Sequence, residues 1–101
     1  MSDLLHWQQQ DRSLLLSGKL DHETLLPLWQ QKEHVVRGVS EINVSGLKRV
    51  DSAGLALLVH LQNIATRSGQ PVVFHGISDK LQSLITLYNL QQIIVSDEES
   101  R

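Results

Sequence analysis

Short apolar segments alternate with helical patterns along the whole chain, and this alternation limits the fold more strongly than any other feature of the sequence. Five segments have the composition and length of strands: 4–9, 13–17, 41–45, 72–74 and 93–95. The predicted order ββαβαβαβ, with short links, indicates an α/β domain with a mixed, mainly parallel sheet. Polar and apolar residues alternate in 41–45, so we expect the helices to lie chiefly on one face of that sheet.

The first predicted helix contains a proline whose position leaves its start open. Apolar residues at helical spacing run through 25–36, with Asp21 as the candidate N-cap and Gly38 as a stop signal. Pro27 either lies in the first turn of a helix that begins near Leu26, or kinks a helix that begins near His22. Further along the chain, the residues 52–67 and the segment after Ser78 also have helical spacing.

Length and composition narrow the class of protein. The 101 residues are expected to form one domain over 1–96, followed by a flexible acidic tail at 97–101 that carries the whole net charge of −2. The chain has no cysteine, no cluster of basic residues and no apolar run that could cross a membrane. Residues 1–10 have neither a basic segment nor an apolar one, so we expect no secretion signal. We therefore expect neither a nucleic-acid partner nor membrane insertion.

The helix at 52–67 carries more apolar surface than its own packing requires. On a wheel of about 100° per residue, an arc of roughly 140° is predicted to face the sheet. That arc holds Ala53, Gly54, Leu57, Leu58, Leu61, Ile64 and Ala65. On the outer face, Leu55, Ala56 and Val59 surround Ser52, and Asn63 follows one turn later. An uncharged patch around one hydroxyl is typical of a protein-binding surface. The alternative is that a neighbouring helix covers Leu55 and Val59.

Asp51 and Ser52 precede and begin this helix, where backbone N–H groups favour oxygen ligands. One interpretation is simple capping. In the other, Ser52 is an exposed contact or a phospho-acceptor, and a phosphate there would put charge in the middle of an apolar interface. The two interpretations are compatible, because Asp51 can cap while Ser52 is exposed. Gly54 is expected to let the first turn approach the strands closely.

Catalytic and metal-binding motifs are missing from the sequence. Ser52 lies in no Gly-x-Ser-x-Gly elbow, and the glycines form no phosphate-binding loop. Five histidines form neither a close pair nor a His-Glu-x-x-His motif: His6, His22, His34, His60 and His75. We therefore expect no enzyme activity, no metal and no cofactor. Trp7 and Trp29 are expected in the core or at its rim, with Trp29 able to reach a partner.

Several of these segments resemble the STAS family, the domains of anti-sigma-factor antagonists. Val50–Leu55 (VDSAGL) is similar to the signature turn of the family, and residues 14–21 (LLLSGKLD) are similar to its second strand and the start of its first helix. Within the family, LSGKLD, LLPLW, VDSAGLALL and LYNL, in this order over nearly the whole chain, resemble the small subunits of phospholipid ABC transporters in Gram-negative bacteria.

The resemblance implies a partner rather than a reaction. Such subunits are cytoplasmic, bind the ATPase subunit of a transporter that maintains outer-membrane lipid asymmetry, and meet the permease only indirectly. The resemblance puts Ser52 at that contact, and Lys48 and Arg49 are candidate rim charges. The alternative is an anti-sigma-factor antagonist switched by phosphorylation of Ser52. STAS domains commonly have Asp where this chain has Asn43, in the acidic neighbourhood of the phospho-site, which weakens that alternative.

Overall fold

The computed structural model describes residues 4–96, which form four strands and four helices. The strands are β1 (His6–Gln10), β2 (Ser13–Leu20), β3 (Glu41–Val50) and β4 (Val73–His75). The helices are α1 (Leu26–Gln30), α2 (Lys32–Val35), α3 (Ser52–Arg67) and α4 (Asp79–Leu87). The acidic tail predicted at 97–101 lies outside the described residues.

The four strands form one sheet in the order β1-β2-β3-β4. β1 and β2 are antiparallel and are joined by a tight turn at Asp11, whose φ of 57° lies in the left-handed region that Asp tolerates. β2 and β3 are parallel, as are β3 and β4, and each parallel pair is connected through helices. The predicted α/β class with a mixed, mainly parallel sheet is confirmed.

One face of the sheet is buried under the helices. The inward-facing strand residues are Leu14, Leu16, Leu20, Ile42, Val44 and Phe74, and they belong to one core with the apolar residues of α3 and α4. Strand residues between them are exposed or half-buried, for example Ser17 and Asn43. This alternation along each strand confirms that the helices lie chiefly on one side.

β3 is longer than its sequence pattern predicted. The alternation that marks 41–45 stops there, yet the strand continues to Val50. The register between β2 and β3 shifts twice, between Leu15 and Ser17 and again between Gly18 and Lys19. Such bulges reverse the side-chain alternation locally, so the second half of the strand has no period of two to recognise.

The segment predicted as one helix at 25–36 is two short helices. α1 begins at Leu26 with Pro27 in its first turn, so the first of the two alternatives is correct. The prediction that Asp21 caps this helix is wrong. Its Oδ1 instead accepts a hydrogen bond from the Glu23 N–H at 3.0 Å, which stabilises the turn that precedes α1.

The strand predicted at 93–95 is not formed in the described residues. Ser96 makes a single parallel bridge with Phe74, and the preceding residues form a turn. The N–H of Ile94 donates to the carbonyl of Leu90 at 2.9 Å, which curls the chain at the point where a strand would extend. Ile94 is buried nevertheless. The apolar residues at 93–95 were therefore a correct sign of burial but not of a strand.

The predicted helix at 52–67 is confirmed in full as α3. α4 begins after Ser78, whose side chain accepts a hydrogen bond from the Leu81 N–H at 3.1 Å. Within residues 4–96, no helix combines the length and the apolar composition that a membrane crossing requires.

Candidate partner-binding surface

The start of α3 is fixed by Asp51, the residue between β3 and the helix. Its backbone is extended, and its side-chain Oδ1 accepts a hydrogen bond from the Gly54 N–H at 2.9 Å. A carboxylate in this position satisfies one of the unpaired N–H groups of the first turn and interacts favourably with the helix dipole. The capping interpretation of Asp51 is thus confirmed, and Ser52 is left exposed beside it.

The second oxygen of Asp51 binds a residue from the loop between β2 and α1. Oδ2 accepts a hydrogen bond from the His22 N–H at 3.1 Å and lies 2.9 Å from His22 Nδ1. This side-chain hydrogen bond raises the pKa of His22 above its ordinary value. Partial burial opposes ionisation of Asp51, but the hydrogen bonds from His22 and Gly54 outweigh it and lower the pKa of Asp51. No local pattern in the sequence indicated this contact between residues 29 positions apart.

Gly54 lets α3 pack directly on the end of β2. A Cβ at this position would lie 2.1 Å from the carbonyl oxygen of Leu20. Because backbone cannot move aside as the end of a side chain can, only glycine fits. The prediction of a close approach at Gly54 is confirmed. This approach holds the first turn of α3, with Asp51 and Ser52, against the end of β2.

The exposed face of α3 carries most of the predicted patch. Ser52, Ala56 and Asn63 are exposed and Val59 is half-buried, all on one side of the helix. We call these four residues the α3 stripe. On the wheel they fall within about 60° of one another, which places them in a single band along the helix.

Leu55 does not belong to this band, and the prediction of an exposed Leu55 is wrong. It is 2% exposed and lies in the core. Gln62, two turns later on the same flank, is also buried, at 6% exposure. Its Nε2 donates to the carbonyl of Val72 at 2.8 Å. This flank therefore faces β4 and α4, which packs beside α3. The sequence analysis left open that a neighbouring helix covers Leu55 and Val59, and for Leu55 this alternative is correct.

On its other side the α3 stripe is bordered by α1. The rings of Trp29 and His60 meet edge to face with centroids 4.8 Å apart, and Lys32 Nζ lies 3.8 Å from the centroid of the Trp29 ring. Cation–π and edge-to-face contacts of this kind hold an aromatic ring in a defined orientation. Trp29 is half-buried at the rim, as predicted. Its two ring contacts were missed, since no local pattern links α1 with the middle of α3.

The two candidate rim cations lie at the end of β3, just before Asp51. Lys48 and Arg49 are both exposed. Arg49 Nε is 3.8 Å from Oδ2 of the buried Asp21, a distance at which a largely exposed pair contributes little stability. Both residues precede Ser52, the first residue of α3, by three or four positions in the chain; their role as rim charges stays a prediction.

Asn43 is far from Ser52, which corrects one expectation. It lies seven residues before Val50 on β3, about 23 Å away along an extended strand. Its Oδ1 accepts hydrogen bonds from the N–H and the hydroxyl of Ser45, at 2.9 and 2.7 Å. Asn43 therefore contributes nothing to the surroundings of Ser52, and its identity carries no weight for or against phosphorylation there.

The histidines are distributed over the surface and do not converge. Within residues 4–96 no group of three or more His, Asp or Glu side chains could hold a metal ion. His75 Nε2 lies 2.5 Å from Glu41 Oε1, and the Ser13 hydroxyl donates to Glu41 Oε2 at 2.5 Å. The hydrogen bonds from Ser13 and His75 lower the pKa of Glu41. This cluster lies on the open face of the sheet, away from α3.

Comparison with known proteins identifies the family. The profile of the family described as "Mlab, STAS domain" matches residues 4–96. The chain belongs to the Mlab family of STAS domains. The intermembrane phospholipid transport system binding protein MlaB of Escherichia coli K12 is 47% identical over 90 residues, which cover 89% of this chain and 93% of that protein. The Haemophilus influenzae protein of the same name is 29% identical over 103 residues, covering 92% of this chain and 98% of its own.

Solved structures agree with the STAS fold of this Mlab-family chain. A putative anti-sigma factor antagonist from Thermotoga maritima matches with a TM-score of 0.70 at 17% identity, over 95% of this chain and 90% of that one. The phosphorylated form of the Bacillus protein SpoIIAA matches with a TM-score of 0.65 at 14% identity, over 95% of both chains. At such low identities the likeness establishes the fold alone.

Proposed function

We propose that the chain is a regulatory and assembly subunit of a phospholipid ABC transporter, and that its α3 stripe binds the MlaF-like ATPase subunit. The observation that carries this proposal is the uncharged exposed face of α3, which contains no Asp, Glu, Lys or Arg before Arg67. Surface helices of monomeric proteins normally carry charges on their solvent face, whereas the centres of protein interfaces are depleted of them.

The chemistry of the α3 stripe suits a helix docked into a groove. Ala56 has a small side chain, so a partner can approach the helix backbone closely, and Val59 supplies apolar contact area. Ser52 and Asn63 offer hydrogen bonds at the two ends, about 16 Å apart along the helix axis. Lys48 and Arg49 form a basic rim that favours an acidic border on the partner.

Family membership supports the identity of the partner. The relatives are named as binding proteins of an intermembrane phospholipid transport system. We place this chain on the cytoplasmic side of the inner membrane, held there through the ATPase and only indirectly through the permease. In this role it catalyses no reaction and needs no cofactor; it acts on the assembly and activity of a transporter that maintains outer-membrane lipid asymmetry.

A second candidate is an anti-sigma-factor antagonist switched by phosphorylation of Ser52. The exposed hydroxyl of Ser52 in the first turn of α3 favours it, because the helix N-terminus can accommodate a phosphate. The adjoining Asp51 carboxylate acts against it by charge repulsion. The named relatives belong to a transport system, and we therefore rank this candidate second.

Affinity purification from the native host tests the proposal. We expect the tagged chain to recover an ATPase with a Walker A motif together with a membrane permease. Recovery of a small kinase-like protein without either would favour the antagonist instead.

A matched pair of variants on α3 makes the test specific for the surface. Ala56→Arg puts a charge inside the α3 stripe, whereas Thr66→Arg puts the same side chain at an exposed position near the end of the same helix. We expect the first variant to lose the ATPase and the second to retain it. Equal recovery by both variants would rule out the α3 stripe as the binding surface.

A further inference from the structure

The outer edge of β1 is open in the part of the chain that the structure describes. β1 lies at one end of the strand order, and among residues 4–96 it pairs with β2 alone. The opposite edge of the sheet is partly covered, because Ser96 makes a parallel bridge with Phe74 and the Phe74 N–H donates to the carbonyl of Val95 at 2.9 Å. Four of the five residues of β1 are exposed.

The hairpin between β1 and β2 determines which backbone groups of this edge point outward. Its loop has two residues, and Gln10 and Ser13 are the last cross-strand pair before it. A pair that closes a two-residue loop exchanges both N–H···O bonds, and hydrogen-bonded pairs then alternate along the strands. Gln8 therefore bonds to β2 through its backbone, as Gln10 does, whereas the N–H and C=O groups of Trp7 and Gln9 point away from the sheet.

β1 lacks the features that keep an exposed strand edge from pairing. Natural edges are protected by charged side chains, by proline, by a bulge or by a very short strand. The sequence of β1 is His-Trp-Gln-Gln-Gln, without Pro, Lys, Arg, Asp or Glu. Its five residues pair with β2 in one continuous register, whereas the register between β2 and β3 shifts twice. An edge of this kind is a template for a further strand.

We propose that the β1 edge pairs with the β1 edge of a second copy of this chain, antiparallel and around a two-fold axis at Gln8. Trp7 then lies opposite Gln9 of the second copy, and His6 lies opposite Gln10 of the second copy. Each pair of Trp7 with Gln9 exchanges two N–H···O bonds, so the two symmetric pairs form about four. Four strands from each copy form one continuous sheet.

The side chains of β1 favour a second copy over a different protein. Gln8 is paired with Leu15 of β2 and lies on the open face of the sheet, where the axis brings the two Gln8 side chains together. A glutamine amide both donates and accepts hydrogen bonds, so two of them are complementary to each other. No like charges meet across the axis, and the edge carries no charge that would select an oppositely charged partner.

An exposed leucine next to the edge supports the same pairing. Leu4 lies just before β1 and is 58% exposed. In the antiparallel arrangement the start of β1 lies next to the turn between β1 and β2 of the second copy, which contains Arg12. The aliphatic part of that arginine can cover Leu4. Pairing thus removes from water an apolar side chain that the single chain leaves exposed.

The interface is small, so the dimer should be reversible. Only five residues of each copy pair, which places the contact at the lower end of protein interfaces. We expect a dissociation constant of about 50 μM. The α3 stripe contains no residue of β1, so this pairing goes beyond the proposed function and does not depend on it.

Sedimentation equilibrium and amide hydrogen exchange test the pairing on the unaltered chain. We expect the mean mass to rise from near that of the monomer toward that of the dimer between about 5 μM and about 500 μM. Over this range the amides of Trp7 and Gln9 should exchange severalfold more slowly. Those of Gln8 and Gln10, which bond to β2 in both states, should change little. A monomer at every concentration would leave the edge to a different protein, and a dimer without slower exchange at Trp7 and Gln9 would pair elsewhere. Either result would overturn the proposal.

Charge variants at Gln8 locate the two-fold axis. Gln8→Lys places two like charges opposite each other, and so does Gln8→Glu, so each variant alone should dimerise about fivefold more weakly. An equal mixture of the two variants should recover the dimer, because opposite charges then meet at the axis. Gln82→Lys, the same change at an exposed position of α4, is the control and should leave the dimer intact. A dimer that Gln8→Lys does not weaken, or a weakening that the mixture does not relieve, would show that the axis is not at Gln8, and the proposal would be wrong.

Discussion

The carboxylate of Asp51 joins His22 to the first turn of α3. One oxygen accepts from the Gly54 N–H at 2.9 Å, and the other lies 2.9 Å from His22 Nδ1 and accepts from the His22 N–H at 3.1 Å. The loop after β2 is thereby fastened to the helix that carries Ser52. The hydrogen bond to Asp51 raises the pKa of His22, so the strength of this connection depends on whether His22 is protonated and hence on pH.

The first prediction concerns that pH dependence. The hydrogen bond to Asp51 raises the pKa of His22, so protonated His22 stabilises the folded chain below its ordinary pKa of 6.5, and this stabilisation is lost as pH rises through the raised value. At the acid end it is lost as Asp51 protonates below its own lowered pKa. We expect His22→Gln to reduce the free energy of unfolding at about pH 5.5 and to have less effect at about pH 9. Urea unfolding at both pH values measures the difference.

The control for this prediction is the Asp51→Asn background, in which residue 51 can still cap α3 but carries no charge. In that background His22→Gln should lose most of its difference between the two pH values, because Asp51 is the main cause of the raised pKa of His22. If His22→Gln shows no such difference in the chain that keeps Asp51, the contact between His22 and Asp51 does not contribute to stability through protonation.

The second prediction concerns the contact between Gly54 and Leu20. A Cβ at Gly54 would lie 2.1 Å from the Leu20 carbonyl oxygen and 2.9 Å from its carbon. We expect Gly54→Ala to lower the free energy of unfolding by about 3 kcal/mol, because α3 must move away from β2. Gly38→Ala, where the new Cβ meets nothing within 4 Å but φ is 76°, should cost about 1 kcal/mol. Equal costs in the two variants would contradict the close approach.

Part of the site could be predicted from the sequence because helix geometry is local. The wheel for α3 placed Ser52, Ala56 and Asn63 on the exposed side correctly. It placed Leu55 there as well, although Leu55 is buried. The sequence shows how wide the apolar arc of the helix is, but not which other elements pack against that arc. The observed buried arc is rotated by about 50° toward α4. That rotation depends on contacts with distant parts of the chain, such as the packing of α4 beside α3 and the hydrogen bond from Gln62 to the Val72 carbonyl.

Contacts between distant parts of the chain account for what the sequence could not predict in the fold. The second half of β3 could not be predicted, because the bulges between β2 and β3 reverse the alternation of polar and apolar side chains by which a strand is recognised. Ile94 packs into the core although the residues before it form a turn and not a strand. A pattern of only three apolar residues cannot distinguish a turn from a strand. By contrast, Pro27 marked the start of α1 correctly, because its effect on the backbone is local.

The third prediction concerns Gln62, which connects α3 to two other parts of the chain. Its Nε2 donates to the carbonyls of Val72 and Ile93, and its Oε1 accepts from the Val72 N–H at 2.9 Å. Gln62→Leu keeps the volume but leaves these buried groups unpaired, and we expect a loss of about 3 kcal/mol in the free energy of unfolding. Asn63→Leu, one residue later and exposed, should change it little. Faster hydrogen exchange at the Val72 amide would identify the cause.

The last prediction separates core from surface at two adjacent positions of α3. Leu55 is 2% exposed, whereas Ala56 is exposed. We expect Leu55→Ala to lower the free energy of unfolding by about 3 kcal/mol, because it leaves a cavity in the core. The protein that remains folded should keep its affinity for the ATPase subunit. Ala56→Arg should do the opposite: unchanged stability and a dissociation constant raised at least about tenfold, because a charge must be buried in the interface. Urea unfolding and titration calorimetry with the purified ATPase measure the two effects. A loss of affinity with Leu55→Ala and none with Ala56→Arg would place the contact on the α4 side of the helix.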